Sequence, residues 1–210
     1  MVIPDSFSFS PYESHLQFFV WKEMLGSIKP VAECLTISQD TPLIVSPDGL
    51  SVRQADIHDE DVYRHDVVYA EETFITGQHY WEIEVGAKPD WSLGLEKRKE
   101  NKSFLARLMS RKPHISKVQL QLTRDKGYIV KSNQFVIPVL TDIKEKPRRI
   151  GLFLDCDNNQ VCFYNADNMS LIHTFTCSFR WPWSVCLGTG MNSFPLTVCC
   201  YRANDAAFAN

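Results

Sequence analysis

After Pro30 the chain drops helical spacing and alternates apolar with polar residues in short runs, each closed by a turn signal. His79 to Val85 places Trp81, Ile83 and Val85 on one face of an extended strand and Tyr80, Glu82 and Glu84 on the other. Val118 to Leu122 alternates in the same way. Asp125-Lys126-Gly127 reads as a hairpin turn and Tyr128-Ile129-Val130 as the returning strand. Leu35-Thr36-Ile37, Leu43-Ile44-Val45, Leu50-Ser51-Val52, Val67 to Ala70 and Trp91 to Leu95 read as further strands, followed by Phe135 to Leu140, Arg149 to Asp155, Gln160 to Asn165, Leu171 to Phe175, Ser184 to Gly188 and Leu196 to Cys200. Pro138 marks an edge strand or a bulge, because proline cannot donate to a central ladder. Many short strands with almost no helical period imply an all-β fold, a two-sheet antiparallel β-sandwich.

The chain before Pro30 differs. Residues 1–13 are rich in Ser, Pro and Phe and read as extended. Residues 14–30 read as an amphipathic α-helix with Leu16, Phe19, Val20, Met24 and Ile28 on one face. Phe18, Trp21 and Leu25 widen the apolar arc, so this helix packs on the domain or continues a helix upstream. Residues 202–210 read as a tail.

A chain of 210 residues that is 44% hydrophobic can bury a sufficient core without staples. The net charge of -3 offers no basic excess for a phosphate backbone, so no specific nucleic-acid partner is expected. The 7 cysteines are odd in number, show no CxxC spacing and mostly sit in apolar runs, which reads as buried free thiols. Met1-Val2-Ile3-Pro4-Asp5 does not resemble a signal peptide, and no run reaches the length of a membrane span. A cytoplasmic location is expected.

Thr76-Gly77-Gln78-His79-Tyr80-Trp81-Glu82-Ile83-Glu84-Val85, then Trp91-Ser92-Leu93-Gly94-Leu95, resemble consecutive strands of the PRY-SPRY (B30.2) domain. Arg149-Ile150-Gly151-Leu152-Phe153-Leu154-Asp155 with Val161-Cys162-Phe163-Tyr164-Asn165-Ala166, then His173-Thr174-Phe175 and Pro195-Leu196-Thr197-Val198-Cys199, continue that pattern in order. The resemblance covers residues 32–201, with PRY at about 32–84 and SPRY at about 85–201. The 14–30 helix is similar to the segment that joins the coiled coil to PRY-SPRY in tripartite-motif proteins. The resemblance implies the C-terminal part of a tripartite-motif E3 ubiquitin ligase. Such a part has no catalysis of its own, recognises a protein or peptide substrate through loops at one end of the sandwich, and forms homo-oligomers through a coiled coil upstream in the parent. One departure matters: Pro113-His114-Ile115-Ser116-Lys117 lacks the aromatic lead-in that many members carry there.

No nucleophile with an adjacent base, no HExxH and no phosphate-cradling glycine loop occurs, so catalytic residues, metal ligands and cofactors are all expected to be none. His58 and His65 lie among carboxylates, an arrangement that reads as a solvated acidic loop. Loops on a rigid scaffold carry recognition. The candidate partner-binding residues are Asp90, Lys97, Arg98, Arg111, the outward Gln119 and Gln121, Arg180, Trp181, Trp183, Met191 and Asn192, with Lys88 beside them. Trp181 and Trp183 either anchor an interface or fill the core. The basic stretch 97–117 offers a secondary reading as a membrane-surface or anion site, and the N-terminal helix offers one as an oligomerisation element.

Overall fold

The computed structural model describes residues 32–55, 67–98, 115–139, 143 and 146–200. The helix expected at 14–30, the acidic stretch 56–66, Arg111 with most of the basic loop, and the tail at 202–210 lie outside the described residues.

The alternating runs form β1 (Ile44–Val45), β2 (Ser51–Arg53), β3 (Val67–Tyr69), β4 (Gln78–Glu84), β5 (Trp91–Lys97), β6 (Lys117–Thr123) and β7 (Gly127–Ser132). They continue as β8 (Val136–Pro138), β9 (Arg149–Asp155), β10 (Gln160–Asn165), β11 (Ser170–Thr176), β12 (Trp183–Gly188) and β13 (Leu196–Cys199). One sheet has seven strands in the order β1-β2-β13-β4-β9-β10-β11, and the other has six in the order β3-β12-β5-β6-β7-β8. The fold is the expected all-β sandwich, every strand pair being antiparallel. Pro138 sits on β8, an edge strand, as its missing N–H requires. Leu35-Thr36-Ile37 makes only a single bridge, Ile37 to Ala70, instead of a strand.

One core joins the sheets. Trp81, Ile83, Leu152, Leu154, Val161 and Phe163 from the seven-stranded sheet meet Leu93, Leu95, Val118, Leu120, Trp183 and Val185 from the six-stranded sheet, and all are essentially inaccessible. Burying each of these side chains contributes about 1.5–3 kcal/mol. Two tight approaches need glycine. A Cβ on Gly94 would overlap the Val118 carbonyl oxygen, and one on Gly151 would lie 2.6 Å from the Tyr80 hydroxyl. Asp155, fully buried, ends β9 and accepts from the Asn158 N–H (2.8 Å), the Asn158 amide (2.9 Å) and Gln78 (2.8 Å). These bonds fix the β9–β10 hairpin, with Asn159 at φ 57°.

The alternation on β4 holds, and one expectation changes here. Tyr80 and Glu82 alternate away from the core, yet both are 5% exposed, because the Tyr80 hydroxyl donates to Glu82 (3.1 Å) and Arg149 pairs with it (2.8 Å). The reading of free thiols throughout fails at two positions. Cys34 and Cys200, 166 residues apart in sequence, form a disulfide with Cα atoms 5.0 Å apart. This bond ties the first residues of the sandwich to the end of β13.

Candidate functional site

The outward face of the six-stranded sheet carries accessible polar groups that the fold leaves incompletely used. Leu93, Leu95, Val118, Leu120, Val130, Val185 and Leu187 point into the core, so their alternates point out. The register aligns Cys186, Gly94, Gln119 and Lys131 in one row across β12, β5, β6 and β7. The next row is Gly188, Ser92, Gln121 and Ile129. Gly188 on β12, at an outward position opposite Ser92, brings no side chain to this face, while the space beside Gly94 on β5 is taken by Gln119. A cavity of about 400 Å³ lies there, lined in part by Ser92, Lys117, Gln119, Gln121, Lys131 and Gly188. That volume lies within the usual range for ligand sites.

Gln119 forms part of its floor. The expectation of an outward, exposed Gln119 is half right: its register is outward, but only 2% of it is exposed. With no side chain on Gly94, Gln119 reaches across the strand and donates to Cys186 Sγ at 3.4 Å, while its Oε1 accepts from the Gln121 amide at 3.1 Å. Gln121 is half-buried and stands as the accessible end of this pair. Lys117 pairs with Glu96 at 3.0 Å, and Glu96 also accepts from the Tyr69 hydroxyl at 2.9 Å. Desolvation, with the Glu96 carboxylate as second cause, pushes the Tyr69 phenol far above its ordinary range.

The other candidates fall at opposite ends of β12. Arg180 and Trp181 precede it, and Met191 and Asn192 follow it. Six residues of strand span about 20 Å, so no single cluster of end loops contains them all. At the first end Trp181 is 37% exposed and Lys97 Nζ sits 3.7 Å from its ring centroid. Arg98 lies 5.8 Å over Tyr69. Trp183, proposed beside Trp181, is not a surface residue. It is fully buried, packed edge-on against Phe179 with ring centroids 5.1 Å apart, because pairing with Lys97 turns it inward.

At the far end a buried cation organises the loop. Lys88, expected at the surface, is 1% exposed. Its ammonium donates to Asn192 Oδ1 at 2.7 Å and to the Phe194 carbonyl. Burial pulls its pKa down to about 8, with Asp90 opposing. Asn192 donates to Asp90, and Asp90 also accepts from the Met191 N–H at 3.4 Å. Asp90 and Asn192 are thus internal braces, and Met191 (45% exposed) and Phe194 (60% exposed) are what the loop presents.

Nothing in this arrangement supplies an activated nucleophile. Burial pushes the thiols of Cys177 and Cys186 up to about 12, where they stay protonated. Among the described residues no three His, Cys, Asp or Glu groups could jointly hold a metal ion. His79 makes hydrogen-bond-distance contacts with Glu33 (2.9 Å) and the Thr76 carbonyl (2.9 Å), a structural use.

Residues 78–191 match the SPRY domain. The chain belongs to the SPRY domain family. It is 29% identical to mouse E3 ubiquitin-protein ligase TRIM69 over 85% of this chain and 36% of that protein. It is 35% identical to human Pyrin over 63% of this chain and 17% of that protein. The crystal structure of the TRIM65 PSpry domain superposes with a TM-score of 0.61 at 15% identity, covering 96% of this chain and all of that one, and so shares the fold. The chain spans about a third of the length of TRIM69, so the SPRY domain is one part of that larger protein.

Sequence reasoning missed Ser92, Lys117, Lys131 and Gly188 as site residues. Their parity along each strand was legible, but their meeting depends on cross-strand register, which no single run encodes. Gly94 is a fold residue whose bare position also leaves room for the Gln119 side chain.

Proposed function

We propose that this SPRY chain is the substrate-recognition part of a tripartite-motif-type ubiquitin ligase. In this reading it performs no catalysis, works in the cytoplasm and binds a protein or peptide, and the parent forms homo-oligomers through a coiled coil upstream. The single observation that supports partner binding is the outward face of the six-stranded sheet, a depression floored by Gln119 and Gln121, with exposed Trp181 and Met191 in the loops before and after β12. Amide side chains held in place by neighbours give directional recognition at little ordering cost, and aromatic residues beside cations are common interface anchors. The membrane-surface alternative gains no support from Lys97 and Arg98, whose charges lie over the rings of Trp181 and Tyr69.

The test is proximity labelling and pull-down mass spectrometry with the whole chain, comparing wild type with Trp181→Ala and with Gln121→Ala/Met191→Ala. A reproducible set of proteins, lost from at least one variant while thermal melting is unchanged, is expected. A recovered set that both variants retain in full would place recognition elsewhere on the chain. Trp183→Ala is the unfolding control, expected to cost about 3–5 kcal/mol as a core truncation.

A further inference from the structure

We propose that the depression on the six-stranded sheet receives an extended peptide segment bearing an Asp or Glu side chain, with the carboxylate at Lys131 and the neighbouring main chain at Gln121. This inference rests on the reading of the chain as a partner-binding module and names the chemistry of the partner.

Charge complementarity is the first argument. Among the described residues no Asp or Glu lines the cavity, whereas two lysines do, Lys117 and Lys131. The two differ. Lys117 is compensated by Glu96 at 3.0 Å, and that carboxylate is itself held by Tyr69. Lys131 lies directly across from Gln119 in the β6–β7 register, is exposed, and has no ion-pair partner among the described residues. Among the described residues the cavity lining therefore carries one positive charge without a counter-charge. A carboxylate reaching Lys131 beside a partly dry floor interacts through a lower effective dielectric than in water, which strengthens the pair.

The amide pair is the second argument. Gln119 is fixed by Cys186 and accepts from Gln121, so the Gln121 side chain is oriented before any ligand arrives. One of its N–H donors is used in that bond. Its second N–H and its Oε1 remain, a donor and an acceptor side by side. That pair matches the C=O and N–H of a peptide main chain. Ser92, opposite Gln121 on β5, adds a hydroxyl.

Size and shape are the third argument. A cavity of about 400 Å³ holds a few residues of an extended segment, not a folded surface. A lipid headgroup would be met by a cationic surface, whereas here the charge sits in a depression whose floor is made of amides. A nucleic acid would need several uncompensated cations in a row, and among the described residues the cavity lining offers one, Lys131.

The experiment is fluorescence anisotropy on the full 210-residue chain. The probes are three labelled nonapeptide pools, random except for a central residue fixed as Glu, Gln or Lys. The Glu pool is expected to bind at least tenfold more tightly than the Gln pool, and the Lys pool not at all. Lys131→Glu should abolish Glu-pool binding and give measurable Lys-pool binding. Gln121→Ala should weaken the Glu pool several-fold, with melting temperatures unchanged in both variants.

Equal affinity for the Glu and Gln pools overturns the proposal, as does Glu-pool binding that survives Lys131→Glu. Glu-pool binding insensitive to Lys131→Glu but lost in Trp181→Ala places the acid at the other end of β12. That outcome overturns this inference and leaves the partner-binding reading standing. Phosphatidylserine vesicles that bind, where no peptide pool does, also overturn it. So does Glu-pool binding that appears only after Asp56, Asp59, Glu60, Asp61 and Asp66 are changed to Asn or Gln, since the chain's own acidic stretch, which leads directly into Val67 at the cavity, would then be the occupant.

Discussion

The outward faces of the two sheets are both polar, both carry a glycine beside a reaching side chain, and use their polar groups differently. On the seven-stranded sheet Tyr80 donates to Glu82, Glu82 pairs with Arg149, and Arg149 pairs in turn with Asp167 at 3.2 Å. Charges there are matched within the chain. On the six-stranded sheet Gln119 and Gln121 hold one another, Gln121 keeps a donor and an acceptor in reserve, and Lys131 has no counter-charge among the described residues. A buried polar network that closes on itself rigidifies a fold. One that stops at an accessible side chain offers its last group to something else.

The sharpest test of the contrast uses the two glycines. Gly94→Ala drives a Cβ into the Val118 carbonyl, which is backbone and cannot turn away, so a loss of about 3 kcal/mol or more is expected. Gly151→Ala meets the Tyr80 hydroxyl, the far end of a side chain that can shift, and about 1 kcal/mol is expected. Chemical denaturation of both variants measures the difference. Equal losses would mean that the two faces are packed alike, and the contrast would rest on hydrogen bonding alone.

A smaller effect separates the polar networks. Glu82→Gln keeps the shape but removes the charge that Arg149 and Tyr80 address. Arg149 is about a third exposed, so water screens part of the loss, and about 1–2 kcal/mol is expected. Gln121→Ala on the other face should change stability by less than about 0.5 kcal/mol. Both are read from denaturant midpoints at constant slope. A Gln121→Ala loss as large as that of Glu82→Gln would make the amide pair a structural device.

Much of the fold is legible in the sequence, for a physical reason. Period-two alternation states which side chains face inward, and Trp81, Ile83, Leu93, Leu95, Val118 and Leu120 all obey it. Turn chemistry was equally readable, as at Gly127, with φ 65° at the β6–β7 hairpin. Alternation does not say how deeply the outward set is covered. Gln119 and Glu82 look like surface residues in sequence and are buried, because neighbours across strands satisfy them. Whether Trp181 and Trp183 anchor an interface or fill the core stays open in the sequence for a related reason: β12 begins at Trp183, so Trp181 belongs to the loop before it and the parity rule stops between them. The cysteine arithmetic failed at Cys34 and Cys200 because proximity across 166 residues is a property of the closed sandwich, not of spacing.

A last effect, one of pH dependence, concerns the rim of the six-stranded face, where Lys88 holds the loop that presents Met191 and Phe194. Burial lowers its pKa from 10.5 to about 8, so between those values the unfolded chain binds more protons than the folded one. Stability then rises with pH across this window, because the buried ammonium is relieved of its desolvation as it loses a proton. Below pH 8 the penalty is present in full, and above about 10.5 it has gone. Between pH 7 and 9 the gain is about 1 kcal/mol by linkage. Subtracting the stability of Lys88→Met at each pH removes the other titrating groups and leaves this slope. The neutral amine still has two hydrogens, enough for Asn192 Oδ1 and the Phe194 carbonyl, so the loop should keep its form as the charge is lost. A flat difference across the window would mean that these oxygens and Asp90 fully replace the lost water, and that the rim cation is as well compensated as Arg149 on the opposite sheet. A rising difference keeps the two faces distinct.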